Sequence, residues 1–76
     1  MQEVFVIKNT EQDLYLYDCY DDGYNVFTCS EAIVFRAKHF SSLQDACDFK
    51  EKWNNLLHSW SVLCFRWEFI TIKRSY

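Results

Sequence analysis

Only one long stretch of this chain has the period of an amphipathic helix. In residues 41–60, SSLQDACDFKEKWNNLLHSW, apolar residues recur at three- and four-residue steps and form one stripe. Ser41 with Gln44, or Ser42 with Asp45, matches a helix-capping pattern. The sequence therefore predicts one long helix near Ser42–Ser59, whose apolar stripe must be covered by the rest of the chain. The stripe consists of Leu43, Ala46, Cys47, Trp53, Leu56, Leu57 and Trp60.

The segments before this helix alternate with the period of two that is typical of strands. Residues 3–9, EVFVIKN, are apolar on both faces, which favours a central place in a sheet. Residues 13–18, DLYLYD, alternate leucine with tyrosine, and residues 24–28, YNVFT, predict a third strand. The polar segments between them, NTEQ and CYDDG, predict turns, with Gly23 available for a positive φ.

The remaining segments complete the predicted fold. Residues 29–40 predict a short irregular or strand-like segment that ends at Phe40, and residues 62–74 predict a long last strand. In that strand the aromatic residues occupy odd-numbered positions up to Phe69, and the two isoleucines occupy even-numbered positions after it. A strand cannot change face without an extra residue, which predicts a β-bulge or bend near Phe69–Thr71, unless Ile70 and Ile72 face a partner. The order β-β-β-α-β predicts a single α+β domain over residues 1–76, a small antiparallel sheet with one amphipathic helix on one face.

The chain is rich in aromatic residues and cysteine for its length. Fifteen of 76 residues are aromatic, so we expect some, especially tyrosines, to reach the surface and serve as interface anchors. The alternative is that all are ordinary core and half-exposed sheet residues. The four cysteines are 10, 18 and 17 residues apart, which suits neither a disulfide bridge nor a metal site, and no cofactor is expected. We expect them to be reduced and to act as small apolar residues, Cys47 and Cys64 in particular.

No apolar run approaches the length of a membrane span, and the N-terminal residues lack the pattern of a signal peptide. We therefore expect a cytoplasmic protein without a membrane partner. An enzyme is not expected either, because the chain has no Gly-x-Ser-x-Gly motif and only one glycine. Cys19 or Cys29 could be paired with His39 as nucleophile and base, but 76 residues leave little room for a substrate pocket.

Charge is divided unevenly along the chain. Residues 1–35 contain seven acidic residues and one lysine, a net charge of −6, whereas residues 36–76 contain seven basic and four acidic residues, a net charge of +3. Three of the acids lie in residues 18–25, DCYDDGYN, which do not match the oxygen spacing of an EF-hand calcium loop. A segment in which acidic residues are interspersed with tyrosines is suited to bind a basic groove on another protein. The alternative is an acidic surface that only aids solubility.

Several segments together resemble a class of very small phage-encoded proteins. They are VFVIKNTEQDLYLY, the aromatic–threonine pair in VFT, and AKHFSSLQDACDF before a closing strand. Some small proteins of phage origin inhibit bacterial immune systems, including CRISPR effectors. The resemblance covers most of the chain and implies a host-defence inhibitor that acts in the host cytoplasm, but it assigns no functional residue.

These observations predict a small protein-binding inhibitor that occludes the basic, nucleic-acid-binding groove of a host defence protein. A homodimeric structural or assembly module is the alternative. Direct binding of nucleic acid through the basic C-terminal half is a third possibility, but a pI near 5.2 disfavours it. The candidate partner-binding residues are Asp18, Tyr20, Asp21, Asp22 and Tyr24, with Glu11 and Asp13 as steering charges.

Overall fold

The computed structural model of the chain describes residues 3–66, which form a four-stranded antiparallel sheet and one main helix. The spatial order of the strands is β3-β2-β1-β4. This architecture confirms the predicted α+β fold class. The strands are β1 (Glu3–Asn9), β2 (Leu14–Asp21), β3 (Val26–Glu31) and β4 (Ser61–Arg66); the helices are α1 (Leu43–Lys52) and α2 (Asn54–Leu57), preceded by a 3₁₀ turn (Val34–Arg36).

Strand β1 lies in the middle of the sheet, as its two apolar faces predict. Ile7 faces the helix and is fully buried, and Val6, which points to the opposite face, is fully buried too. Val6 pairs with Leu63 on β4, and Lys8 pairs with Tyr15 on β2. Burial on both faces explains why this segment lacks the polar alternation of a one-sided strand.

The sheet opens between β1 and β2. These strands pair only near their connecting turn, at Lys8 with Tyr15 and Asn9 with Leu14. Beyond that point the backbone of Phe40 makes two hydrogen bonds with the backbone of Phe5, each 2.9 Å long. Residues 38–40 therefore take the place beside β1 that β2 leaves. Residues 29–40, predicted to be irregular or strand-like, contain the end of β3, a 3₁₀ turn and this single bridge at Phe40.

The helix begins as predicted but does not continue as predicted. Ser42 is its N-cap, and the Ser42 Oγ accepts a hydrogen bond from the Asp45 backbone N–H at 3.1 Å. The helix is interrupted at Trp53, where ψ is 32°, and restarts for one turn. The chain thus has one main helix, as predicted, but α1 ends at Lys52 and is shorter than the predicted range Ser42–Ser59. The two asparagines that follow Trp53 favour caps and turns over a helix interior.

The main core lies between the sheet and the helices. Ile7, Leu16, Ala46 and Leu57 are completely buried there. Ala46 takes the inward position on α1, so its neighbour Cys47 is turned away and exposed, because successive helical residues point about 100° apart. Cys64 is exposed as well, so the expectation that these two cysteines pack as apolar core residues is wrong. The predicted bulge at Phe69–Thr71 lies outside the described residues.

Candidate functional site: an acidic, aromatic arm

The predicted turn at residues 19–23 is mostly strand. Strand β2 continues to Asp21, and β3 starts at Val26, so the loop between them is limited to residues 22–25. The prediction placed Cys19 and Tyr20 in a turn because acids and glycine cluster beside them. Cross-strand pairing of Tyr20 with Phe27 and of Cys19 with Thr28 keeps them in the sheet. The result is a longer hairpin than the local sequence indicates.

A β-bulge at Tyr17 changes which residues of β2 face the core. Leu16 pairs with Ser30 and Asp18 pairs with Cys29, so Tyr17 is the extra residue. Leu16 is buried before the bulge and Cys19 is buried after it, which is an odd spacing along one strand. The bulge therefore lets Asp18 and Tyr20 share the face that points away from the helices. We call residues 17–29, from the bulge through the loop and back along β3, the arm.

The arm exposes all four of its aromatic side chains. Tyr20 and Phe27 are cross-strand neighbours whose ring centroids are 5.5 Å apart, yet they stay 40% and 43% exposed. Tyr17 is 50% exposed, and Tyr24 in the loop is 95% exposed. The prediction that tyrosines reach the surface is confirmed. Sequence reasoning did not include Tyr17 and Phe27 in the site, because only the bulge and the pairing register place them beside Tyr20.

The loop at the end of the arm is held by two of the predicted acids. Asp22 Oδ1 accepts hydrogen bonds from the backbone N–H groups of Asn25, at 2.6 Å, and Tyr24, at 2.9 Å. Asp21 Oδ1 accepts from the N–H of Gly23 at 2.9 Å. Gly23 has φ +88°, a left-handed conformation that favours glycine. Aspartate and glycine in DDGYN are therefore required, at least in part, by the turn itself.

The hydrogen bonds of the loop also change the pKa of one of its carboxyl groups. The N–H groups of Asn25 and Tyr24 lower the pKa of Asp22 below its usual value, because they stabilise the ionised carboxylate. Each bond uses Oδ1, and a carboxylate has a second oxygen that can accept from a partner. Asp22 thus combines a fixed position with a permanent negative charge at neutral pH.

The acids of the arm form no ion pair within the described part of the chain. Residues 14–31 contain four acids and no lysine, arginine or histidine. Among residues 3–66, ion pairs within 4 Å are formed by Lys8 with Asp13 and by Arg66 with Glu3, and neither involves the arm. The arm therefore presents a negative field toward solvent. Three of the four acids, Asp18, Asp21 and Asp22, lie in the arm, and Glu31 lies just beyond it at the end of β3.

Two of the predicted site residues lie elsewhere. Glu11 and Asp13 belong to the turn between β1 and β2, which is at the opposite end of β2 from the loop. Seven residue steps of about 3.3 Å separate the two ends, or roughly 23 Å. Asp13 also forms an ion pair with Lys8, at 2.8 Å, so its charge is largely compensated. The structure brings together Asp18, Tyr20, Asp21, Asp22 and Tyr24, and it leaves Glu11 and Asp13 apart.

The structure offers little for the other kinds of site. Within residues 3–66 no three His, Cys, Asp or Glu side chains are grouped to hold a metal ion, and no ligand pocket is formed. No helix in that range is long and apolar enough to cross a membrane. Cys19 is buried, and burial, reinforced by nearby Asp18, raises the pKa of its thiol to about 11. The His39 Nε2 atom lies 3.0 Å from the carbonyl oxygen of Val34.

Comparison of the chain with models of known protein families, with curated proteins and with solved structures finds no match. Inference about function therefore rests on the physical properties of the arm: its loop, its acids, which form no ion pair among residues 3–66, and its exposed aromatic rings.

Proposed function

We propose that the chain is a protein-binding inhibitor that docks its arm onto a basic, nucleic-acid-binding surface of another protein. The observation that carries this proposal is the coincidence of two features on one hairpin. Four acids that form no ion pair among residues 3–66 lie on the same hairpin as four exposed aromatic rings. Either feature alone is common on protein surfaces, whereas together they match the usual division of an interface into aromatic anchors and charged rim.

The two kinds of residue would act at different stages of binding. Long-range attraction between the arm and clustered lysine or arginine raises the rate of encounter. Tyr17, Tyr20, Tyr24 and Phe27 then supply contact area that leaves water when the surfaces meet, which slows dissociation. The partner's basic groove loses access to phosphate because the arm occupies it.

The hydrogen bonds in the loop favour this mode of binding. A loop that is ordered only on binding reduces affinity by its ordering free energy. Here Asp21 and Asp22 already fix the backbone of residues 22–25 in the free protein. The acids therefore present their charge from a defined geometry.

The class of partner follows from the charge of the arm. A surface that attracts clustered acids is one that normally binds phosphates, so we infer a nucleic-acid-handling protein. The resemblance to small phage proteins suggests a host defence nuclease, such as a CRISPR effector, in the host cytoplasm.

This proposal is tested by capture followed by competition. The chain is used as bait in a bacterial lysate at low salt, and the captured proteins are eluted with high salt and identified. A captured nucleic-acid-binding protein is then purified, and its binding of labelled DNA or RNA is measured with increasing amounts of the chain. We expect nucleic acid to be displaced. Unchanged nucleic-acid binding in the presence of a saturating amount of the chain would contradict occlusion.

A further inference from the structure

We propose that the outer edge of β3 pairs with an extended, basic segment of the partner protein, which adds a fifth strand to the sheet. This inference rests on the proposed function and specifies how the arm is engaged. Strand β3 ends the sheet, since its only sheet neighbour among residues 3–66 is β2. Exposed edges of this kind accept extended peptides through main-chain hydrogen bonds.

The hydrogen bonds of the arm show which backbone groups of β3 are free to pair. The N–H of Asp22 donates to the carbonyl oxygen of Asn25 at 3.2 Å. Bonded pairs alternate along an antiparallel ladder, so Tyr20 and Phe27 form the next bonded pair and Cys19 and Thr28 do not.

Two contacts on the other side of β2 agree with this alternation of hydrogen-bonded and non-bonded pairs. The N–H of Cys19 bonds to the side chain of Asp18, at 2.9 Å, and the carbonyl oxygen of Leu16 accepts from Lys38, at 2.9 Å. Both groups therefore point away from β3. It follows that the N–H and C=O groups of Val26, Thr28 and Ser30 point outward from the edge of the sheet.

The edge also lacks the features that usually block such pairing. Residues 26–30, VFTCS, contain no proline, no lysine and no other charge, and the bulge lies in β2 rather than in β3. Sheet edges in proteins are commonly protected by proline, by lysine and other charges, or by a bulge. An uncharged strand flanked by acids is suited to receive a basic one.

Charge decides between a partner strand and a second copy of this chain. Pairing two β3 edges would bring together two hairpins that each carry four acids and no base in residues 14–31. Like charges across an interface are unfavourable, so self-pairing is opposed. A strand that contains lysine or arginine is attracted by the same negative charge, so pairing with it is favoured.

The register of β3 defines the sequence that would fit. Phe27, Cys29 and Glu31 lie on one face at alternate positions, together with Asp18, which pairs with Cys29. A neighbouring strand therefore places an apolar residue beside Phe27 and a basic residue beside Glu31, four positions apart. A basic residue between them is directed toward Asp18.

The test measures binding of a labelled valine–lysine peptide of about ten residues, in which one valine and two lysines occupy successive alternate positions and threonine fills the positions between them. A second peptide has the same side chains but N-methylated backbone groups on alternate residues, which removes the donors on one edge. A third, the valine–glutamate peptide, has glutamate in place of each lysine. On the protein, Thr28→Pro removes an outward N–H while leaving the ladder with β2 intact, and its fold is checked by circular dichroism. Phe27 is not substituted, because its backbone groups belong to the hydrogen-bonded pair with Tyr20 on β2.

We expect the valine–lysine peptide to bind and both N-methylation and Thr28→Pro to weaken it by about tenfold, since each removes main-chain hydrogen bonds. Equal affinity for the N-methylated peptide would overturn edge pairing, while capture of a basic protein through the arm would still stand. Failure of the valine–lysine peptide to bind, or equal binding of the valine–glutamate peptide, would also overturn the inference. Self-association that Thr28→Pro abolishes would show that a second copy is the occupant, and would refute a basic segment.

Discussion

The Oδ1 atom of Asp22 lies 2.6 Å from the backbone nitrogen of Asn25 and closes the loop at the end of the arm. The same oxygen accepts the N–H of Tyr24 at 2.9 Å. The carboxylate thus has two roles, as a hydrogen-bond acceptor inside the loop and as a charge toward solvent. These roles can be separated, because asparagine keeps an acceptor oxygen at the same place and removes the charge.

Replacing Asp22 with alanine should lower the melting temperature more than replacing it with asparagine. Alanine leaves the N–H groups of Tyr24 and Asn25 without their acceptor, and the loop loses the bonds that fix it. Asparagine retains these hydrogen bonds, because its side-chain oxygen is an acceptor at the same place. Thermal unfolding followed by circular dichroism measures the difference. Equal melting temperatures for Asp22→Ala and Asp22→Asn would show that the bonds do not stabilise the loop.

Acid should remove part of the stability that Asp22 provides. Its pKa in the folded protein lies below the ordinary value of 3.8, so the unfolded chain binds a proton more readily than the folded one. The contribution is therefore present above pH 3.8 and is lost as the pH falls through the lowered folded pKa. Melting curves measured stepwise between pH 7 and pH 2 should show a larger loss for the wild type than for Asp22→Asn, which has no proton to bind at this position. An identical loss in both proteins would contradict this assignment.

Local patterns in the sequence predicted some elements well. The bounds of β1 follow from its alternation, and the N-terminus of α1 follows from Ser42 and Asp45, because strand period and helix capping depend on residues a few positions apart. The acidic segment is predictable as a surface feature for the same reason, since its composition is local.

Long-range pairing fixed what the sequence left undetermined. Tyr17 is displaced from regular pairing only because Ser30 and Cys29 lie opposite Leu16 and Asp18. That bulge and the extension of β2 to Asp21 put Phe27 beside Tyr20. The insertion of residues 38–40 beside β1 is equally non-local. No propensity in a short window encodes such relationships, so the arm became visible only in the fold.

The Ser42 side chain should contribute measurably to stability. Its hydroxyl oxygen accepts the N–H of Asp45, one of the donors that a helix start leaves unpaired. Ser42→Ala should lower the free energy of unfolding by about 1 kcal/mol. Ser41→Ala is the matched control, because Ser41 is exposed and makes only a 3.4 Å contact with the Asp45 side chain, so a change below about 0.5 kcal/mol is expected. Denaturant titration measures both variants, and equal effects would contradict Ser42 as the cap.

The four cysteines should react unequally with an alkylating reagent. Cys47 is exposed, whereas Cys19 is buried and has a thiol pKa of about 11, which leaves little thiolate near pH 8. Burial and the neighbouring Glu3 also raise the pKa of Cys64. Mass spectrometry after brief treatment with iodoacetamide at pH 8 should find Cys47 modified well before Cys19. Faster modification of Cys19 would show that it is not buried in the native protein.

The central claim, that the arm is the docking surface, is tested most directly by the affinity of charge variants for the captured partner. Asp21→Asn with Asp22→Asn removes two charges from the arm while keeping the acceptor oxygens of the loop. Asp48→Asn with Glu51→Gln removes two charges from the exposed side of α1 and serves as the matched control. Both proteins should melt close to the wild type.

Association and dissociation rates of these proteins should then be measured at several salt concentrations. The account predicts that the arm variant binds about tenfold more weakly, chiefly through slower association, and with a smaller dependence on salt. The helix variant should bind within about twofold of the wild type, since its charges lie outside the proposed interface. Wild-type affinity in the arm variant, or an equal loss in both variants, would contradict the claim that the arm is the docking surface.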